Sequence, residues 1–191
     1  MTKTCSELFQ GMDCAIIGNG NEEVAGLAFR SDEVAPGDMF FCIVGTVVDG
    51  HSFAQDAIDR GATSLVAERK VYLADATDVT EVVVSDSRKA MAYASANYYD
   101  NPSRAFSLVG ITGTNGKTTT TYLVEHIASV AGNRCGVIGT VGNKIAGVME
   151  HAERTTPESP DLQKLFARMR DAGCTVVAME VSSHALDLRR T

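Results

Sequence analysis

Apolar residues in the first hundred positions fall in short runs. VAGLAF at 24 to 29, MFFCIV at 39 to 44, SLVAE at 64 to 68 and VVV at 82 to 84 have the length and the β-branched or aromatic content of strands. Between them, residues 52 to 60 and 87 to 99 space their apolar positions as helices do. Asp86 stands ahead of the second helix as an N-cap, because a carboxylate there accepts from unpaired N–H groups of the first turn. APGD at 35 to 38 is a turn between two strands. The alternation predicts a small α/β domain over residues 1 to 104, with DNPSR at 100 to 104 as the linker.

From residue 105 the order becomes strand, glycine-rich loop, helix, strand, helix, strand, which is the βαβ order of a parallel sheet. FSLVGIT at 106 to 112 leads into GTNGKTTT, and the next helix carries Leu123, Val124, Ile127 and Ala131 as an apolar face for the sheet. A further helix opens with Ser159 as N-cap and Pro160 at its first position. It sets Leu162, Leu165, Phe166 and Met169 on one stripe and stops at Gly173. CTVVAME at 174 to 180 is then a buried strand that ends on an acid. The second domain spans 105 to 191, so the fold class is α/β with two domains.

The loop between the first strand and helix of this second domain is the strongest chemical feature. Gly113, Thr114, Asn115, Gly116, Lys117, Thr118 and Thr119 stand where backbone N–H groups and a helix N-terminus can wrap an anion. Glycine permits close approach of phosphates, Lys117 can bridge β and γ oxygens, and the Thr118 hydroxyl can ligate Mg²⁺. The strict GxxxxGK[ST] spacing would need glycine at position 111, where Ile111 stands; the blander alternative is a glycine-rich turn with a surface lysine. Glu180, at the carboxyl end of a strand, is a candidate second ligand for the metal, although such glutamates also occur as ordinary surface groups.

Composition narrows the partners. The 191 residues are 45% hydrophobic, enough for a core in each domain. With 17 basic and 24 acidic residues the net charge is -7, and no basic run tracks a nucleic-acid backbone. No apolar stretch approaches the ~18 to 20 residues that cross a bilayer, and MTKTCSELFQ has neither the basic nor the apolar region of a leader, so a cytoplasmic protein without membrane insertion is expected. Cys5, Cys14, Cys42, Cys135 and Cys174 are odd in number and scattered, which predicts reduced, mostly buried thiols and no zinc site.

TGTNGKTTT at 112 to 120 resembles the ATP loop shared by the Mur ligases and their folylpolyglutamate synthetase relatives. MEVSSHAL at 179 to 186 resembles the tripeptide synthetase branch of the Mur ligases more specifically. SDEVAPGDMFF at 31 to 41, GTVVDGHSF at 45 to 53 and TTPESPDL at 155 to 162 resemble further segments of that branch, in its order. Asp32 stands where the branch has arginine, and Leu188 where some members have a polar residue.

The resemblance implies an ATP-dependent ligase that adds a diamino acid, meso-diaminopimelate or L-lysine, to a UDP-N-acetylmuramoyl-dipeptide. ATP and Mg²⁺ are the implied cofactors, and a monomer is expected. Phe29, Ser31, Thr46, Val47 and Val48 are implied to contact the UDP portion; Thr155, Thr156, Ser182 and Arg190 are implied to line the groove for the muramoyl-peptide portion. Lys117 and Glu180 are the implied catalytic pair, with Thr118 and Glu180 on the metal. The resemblance also implies a piece of a longer ligase, whose carbamylated lysine and amino-acid-selecting domain would follow Thr191. His184 either positions Glu180 or the substrate or is satisfied locally; His51, His126 and His151 read as structural or solvent-facing. Three other functions remain open at this point: another Mur-like ligase such as a folylpolyglutamate synthetase, a module that binds nucleotide or UDP-precursor without ligation, and a switch-type P-loop NTPase.

Overall fold

The computed structural model of the chain describes residues 2–45, 47–73 and 78–191. They form two compact units, Met1–Tyr98 and Tyr99–Thr191.

In the first unit β1 (Lys3–Thr4) leads into α1 (Cys5–Leu8), whose start is closed by a capping box between Thr4 and Glu7. Then come β2 (Ala15–Ile17), β3 (Glu23–Val24), β4 (Gly26–Ala28), β5 (Asp38–Phe41), α2 (Ala54–Asp59), β6 (Ser64–Ala67), β7 (Thr80–Val83) and α3 (Ser87–Tyr98). The main sheet has the order β2-β7-β6-β5-β4, parallel from β4 through β7 and antiparallel at β2. Its central strands β5 and β6 are buried at every position, as strands covered on both faces must be. Asp86 caps α3 as expected, accepting from the N–H of Lys89 at 2.9 Å.

The run at 24 to 29 is two strands rather than one. β3 pairs with β1, whereas β4 joins the main sheet beside β5. Ala25 between them donates its N–H to the Gly37 carbonyl at 2.9 Å and accepts the Tyr98 hydroxyl, so the ladder breaks there. Strand β5 stops at Phe41, because the N–H of Ile43 turns back to the Phe41 carbonyl at 2.9 Å.

The second unit runs through a short 3₁₀ turn (Pro102–Ala105), β8 (Ser107–Ile111), α4 (Lys117–Val130), β9 (Cys135–Gly139), β10 (Gly142–Ile145), β11 (Val148–Glu150), α5 (Ser159–Asp171), β12 (Val176–Glu180) and α6 (Ser183–Asp187). The segment read as a linker belongs here: Pro102 is buried and the 3₁₀ turn packs on α5. The sheet has the order β11-β10-β9-β12-β8. Only β9, β12 and β8 are parallel; β10 and β11 are antiparallel, so the expected parallel sheet is a mixed one. The cause is the pair of tight turns in TVGNKIAGVME. Ala146 and Gly147 both have positive φ, 48° and 96°, as a two-residue hairpin turn requires.

Ile138, Leu162, Phe166, Met169, Val177 and Met179 make the core, and Phe106 meets Phe166 edge to face at 5.6 Å. Helix α4 is turned relative to expectation: Leu123 and Ile127 are 55% and 67% exposed, and Ala131 is exposed too. Thr121, Val124, Glu125 and Ala128 occupy the less accessible face instead. Thr121 is tolerated there because its hydroxyl donates to the Lys117 carbonyl at 2.8 Å, and Glu125 because it pairs with Lys144 at 2.9 Å. In α5 the N-cap is Glu158, one residue before the expected Ser159, whose hydroxyl donates to the carbonyls of Arg189 and Arg190.

Among the described residues no helix is long and apolar enough to cross a membrane. All five cysteines are free, four of them buried, and burial pushes the Cys42 thiol up to about 12.

His51 is a structural residue. Its Nε2 accepts from the N–H of Glu68 at 3.1 Å, so Nδ1 carries the proton toward Asp49 Oδ1, 2.6 Å away. Arg69, and then the N–H groups of His51, hold the Asp49 carboxyl well below the usual range. A lowered folded value contributes stability that is complete above the unfolded value of about 3.9 and is lost as pH falls below it. Asp49→Asn is therefore expected to shrink the drop in melting temperature between about pH 4 and pH 2, read by a thermal melt at each pH. In the second unit, Leu162→Ala removes a side chain that is 1% exposed. A loss of about 2–5 kcal/mol is expected, read from hydrogen exchange of the β12 amides.

Candidate nucleotide and metal site

The site forms where β8, β9 and β12 end. Gly113 and Gly116 have φ of 140° and 77°, a region that L side chains avoid. An added Cβ at Gly116 would meet nothing within 4 Å, so backbone conformation rather than lack of space calls for glycine in the empty loop. Gly116 is the N-cap of α4, which puts Lys117, Thr118 and Thr119 in its first turn, with N–H groups free of helical partners. Lys117 Nζ donates to the Gly113 carbonyl at 2.8 Å and closes the loop on itself.

Parallel pairing of β12 with β8, Glu180 opposite Ile111, carries the Glu180 carboxylate to the root of this loop. The Thr118 hydroxyl donates to Glu180 Oε1 at 3.0 Å. Thr140 donates its N–H to the same oxygen at 2.9 Å and its hydroxyl to Oε2 at 3.3 Å. Glu180 is 2% exposed. Gly139 makes room for it, since a Cβ there would lie 2.3 Å from Oε1.

A cavity of about 400 Å³ opens over these groups, lined by the loop from Thr114 to Thr119 with Thr140, Thr155, Glu180 and Ser182. Among the described residues Glu180 has no basic partner, and a buried carboxylate held only by neutral donors calls for a cation. Donation to Glu180 leaves lone pairs on the Thr118 oxygen for the same ion. Mg²⁺ suits such a site, because it takes one or two protein oxygens and completes its octahedron with phosphate and water. No group of three or more His, Cys, Asp or Glu residues among those described could hold a metal by itself. The residues therefore fit a cation that arrives with a nucleotide.

Not all the residues singled out by sequence meet here. The Thr156 hydroxyl is buried, donating to the Glu180 carbonyl at 2.8 Å and accepting the Ser182 N–H at 3.1 Å. It ties the 155–156 segment to the end of β12 rather than lining the cavity. Arg190 is engaged with Glu158 at 2.9 Å and with the Thr156 carbonyl at 3.3 Å, and it too is absent from the cavity wall. Ser182 caps α6, accepting from the N–H of Ala185 at 3.1 Å, and His184 is exposed on that helix.

Phe29, Ser31, Val47 and Val48 lie in the first unit. Phe29 is half-buried after β4, and Val47 and Val48 are 93% and 50% exposed in the loop after β5. Ser31 hydrogen-bonds Asp56 and, ahead of Arg60, lowers its carboxyl below the usual range. Thr46 lies outside the described residues. Sequence reasoning missed Thr140 and Gly139; the signal available was a Gly-Thr pair closing a buried strand beside the strand of Glu180.

A parallel strand feeding a glycine-bounded loop and a helix, with a carboxylate at the end of the neighbouring strand, defines a phosphate-loop nucleotide-binding α/β protein. Comparison with known proteins narrows this class. The catalytic domain of the Mur ligase family matches residues 23–111, and the Mur ligase middle domain matches residues 111–191. The chain belongs to the Mur ligase family.

It is 49% identical over 167 residues to the UDP-N-acetylmuramoyl-L-alanyl-D-glutamate--2,6-diaminopimelate ligase of Geobacillus thermodenitrificans, covering 87% of this chain and 33% of that one. The ligase of the same name from Halalkalibacterium halodurans is 44% identical over 190 residues, covering 100% and 38%. A solved structure of a ligase so named superposes with a TM-score of 0.79 at 26% identity, covering 100% of this chain and 38% of that one. The chain thus spans between a third and two fifths of the length of these relatives.

Gly139→Ala tests the site geometry. Its Cβ would drive the Glu180 carboxylate off the Thr118 hydroxyl, and overpacking of this kind costs about 1–3 kcal/mol, read as a lowered denaturation midpoint.

Proposed function

We propose that this chain is the precursor-binding and nucleotide-binding part of an ATP-dependent ligase that joins 2,6-diaminopimelate to UDP-N-acetylmuramoyl-L-alanyl-D-glutamate. The observation that carries the reading is the buried Glu180 carboxylate paired with the Thr118 hydroxyl beneath a glycine-bounded loop at a helix N-terminus. The names of relatives at 44% and 49% identity support the choice of substrates. The same reading is of a cytoplasmic monomer in cell-wall precursor synthesis, with residues 1 to 104 taking the UDP portion through Phe29, Ser31 and the Thr46–Val48 loop.

The residues then divide the work. Backbone N–H groups from Gly113 to Gly116 cradle the β-phosphate, and Lys117 exchanges its bond to the Gly113 carbonyl for the γ-phosphate. Thr118 and Glu180 would hold Mg²⁺, which when bound with the nucleotide offsets the negative charge of its phosphates. Thr155 and Ser182 face the acceptor across the same cavity, with Thr156 and Arg190 bracing their segment from behind. The acceptor carboxylate attacks the γ-phosphorus, ADP leaves, and the amine of the amino acid displaces phosphate from the resulting acyl phosphate. No protein nucleophile is needed; positioning and fixed charge do the work.

The test uses the protein as its native host makes it, given ATP, Mg²⁺, the UDP-dipeptide and either 2,6-diaminopimelate or L-lysine. ADP formation that requires both the dipeptide and the diamino acid is expected, with a mass far above 20.3 kDa. Tight binding without ADP would make the protein a binding module, and ATP hydrolysis without the dipeptide would make it an NTPase. Lys117→Ala is expected to weaken ATP binding by about 1.5–3 kcal/mol, measured by calorimetry.

A further inference from the structure

Thr140 lines the cavity and makes more bonds to the Glu180 carboxylate than any other residue described, yet the ligation chemistry above gives it no role. It stands in a two-residue turn between Gly139 and Gly142, which pair with each other at the head of the β9–β10 hairpin. The turn is therefore anchored on both sides by the sheet. Val141, its other residue, is 65% exposed, whereas Thr140 turns toward the carboxylate.

Two hydroxyls continue outward from the carboxylate. The Thr140 hydroxyl donates to Oε2 at 3.3 Å. Thr140 Oγ1 also lies 2.9 Å from Thr155 Oγ1, where either atom could donate. Thr155, Thr140 and Glu180 thus form one line of contacts from the acceptor side of the cavity to the carboxylate.

We propose that Thr140 is a positioning residue: through its N–H and hydroxyl it locks the Glu180 carboxylate in the orientation that receives the cation, and through Thr155 it links that carboxylate to the acceptor substrate. The inference rests on the nucleotide and metal reading of the site. Thr140 touches neither nucleotide nor cation in this account; it acts through Glu180, as partners behind a ligand do when they set its direction.

Calorimetry of ADP binding to the protein as its native host makes it, with Mg²⁺ and with a chelator, separates the two levels. The wild type is expected to bind ADP more tightly with Mg²⁺. Thr140→Val keeps the backbone N–H but loses the hydroxyl, and it is expected to weaken ADP binding in Mg²⁺ by roughly tenfold while leaving metal-free ADP binding unchanged. Thr140→Ser, which restores the hydroxyl, is expected to recover most of the loss. A Thr140→Val protein with the wild-type response to Mg²⁺, or one that loses equally with and without it, overturns the proposal. If the valine variant fails to fold, as shown by its circular dichroism melt, Thr140→Ala replaces it under the same two criteria. A wild type whose ADP binding ignores Mg²⁺ would instead overturn the metal reading itself, and the role of Thr140 with it.

Discussion

A buried carboxylate, without a basic partner among the described residues, constrains the whole second unit. Glu180 sits at the end of β12, 2% exposed, and each oxygen is answered by a hydroxyl or an N–H. Each donor comes from a different part of the fold: Thr118 from the first turn of α4, Thr140 from the β9–β10 turn. Gly139 leaves the space that the carboxylate occupies, since a Cβ there would lie 2.3 Å from Oε1. The parallel register of β12 against β8 and β9 brings those parts to one place. Lose the register by one residue and the acid would point to the other face of the sheet.

A second layer of bonds holds the acceptor side to this centre. Thr156 joins the 155–156 segment to the carbonyl of Glu180 and to the N–H of Ser182. Arg190 returns from the end of the chain to Glu158 and to the carbonyl of Thr156, and Ser159 binds the carbonyls beside it. These groups are polar and largely buried, so each is costly unless paired. These bonds tie the entry to α5 to the exit from β12. Thr156 and Arg190, which family resemblance implies for substrate contact, are hydrogen-bonded here to the segments that carry the cavity-lining Thr155 and Ser182.

The first unit shows the same economy with different chemistry. Asp49, His51 and Arg69 form a chain of bonds that ties the loop after β5 to the end of β6. The loop carries Val47 and Val48, exposed apolar residues implied to meet the UDP portion of the precursor. A buried histidine with both ring nitrogens satisfied is here a fastening rather than a catalyst.

Much was legible before any coordinates. The loop from Gly113 to Thr119 was readable because its residues are local in sequence and their chemistry, N–H groups at a helix start with a lysine and a hydroxyl, needs no distant partner. The helix over 87–98 and its Asp86 cap were readable for the same reason. What failed was decided at a distance. The hairpin of β10 and β11 depends on pairing with β9; the split at Ala25 depends on Gly37 and Tyr98; and the buried face of α4 is set by Lys144 and the sheet rather than by where Leu123 and Ile127 happen to fall. Thr140 escaped notice because a threonine after a strand is unremarkable until β12 puts Glu180 beside it. By itself the sequence determined which residues form the glycine-bounded loop at a helix start and roughly where the strands and helices lie, because those are properties of neighbours along the chain. Only the tertiary structure decided which hydroxyls surround the carboxylate and which threonines face the cavity, because those bonds join residues up to 62 positions apart.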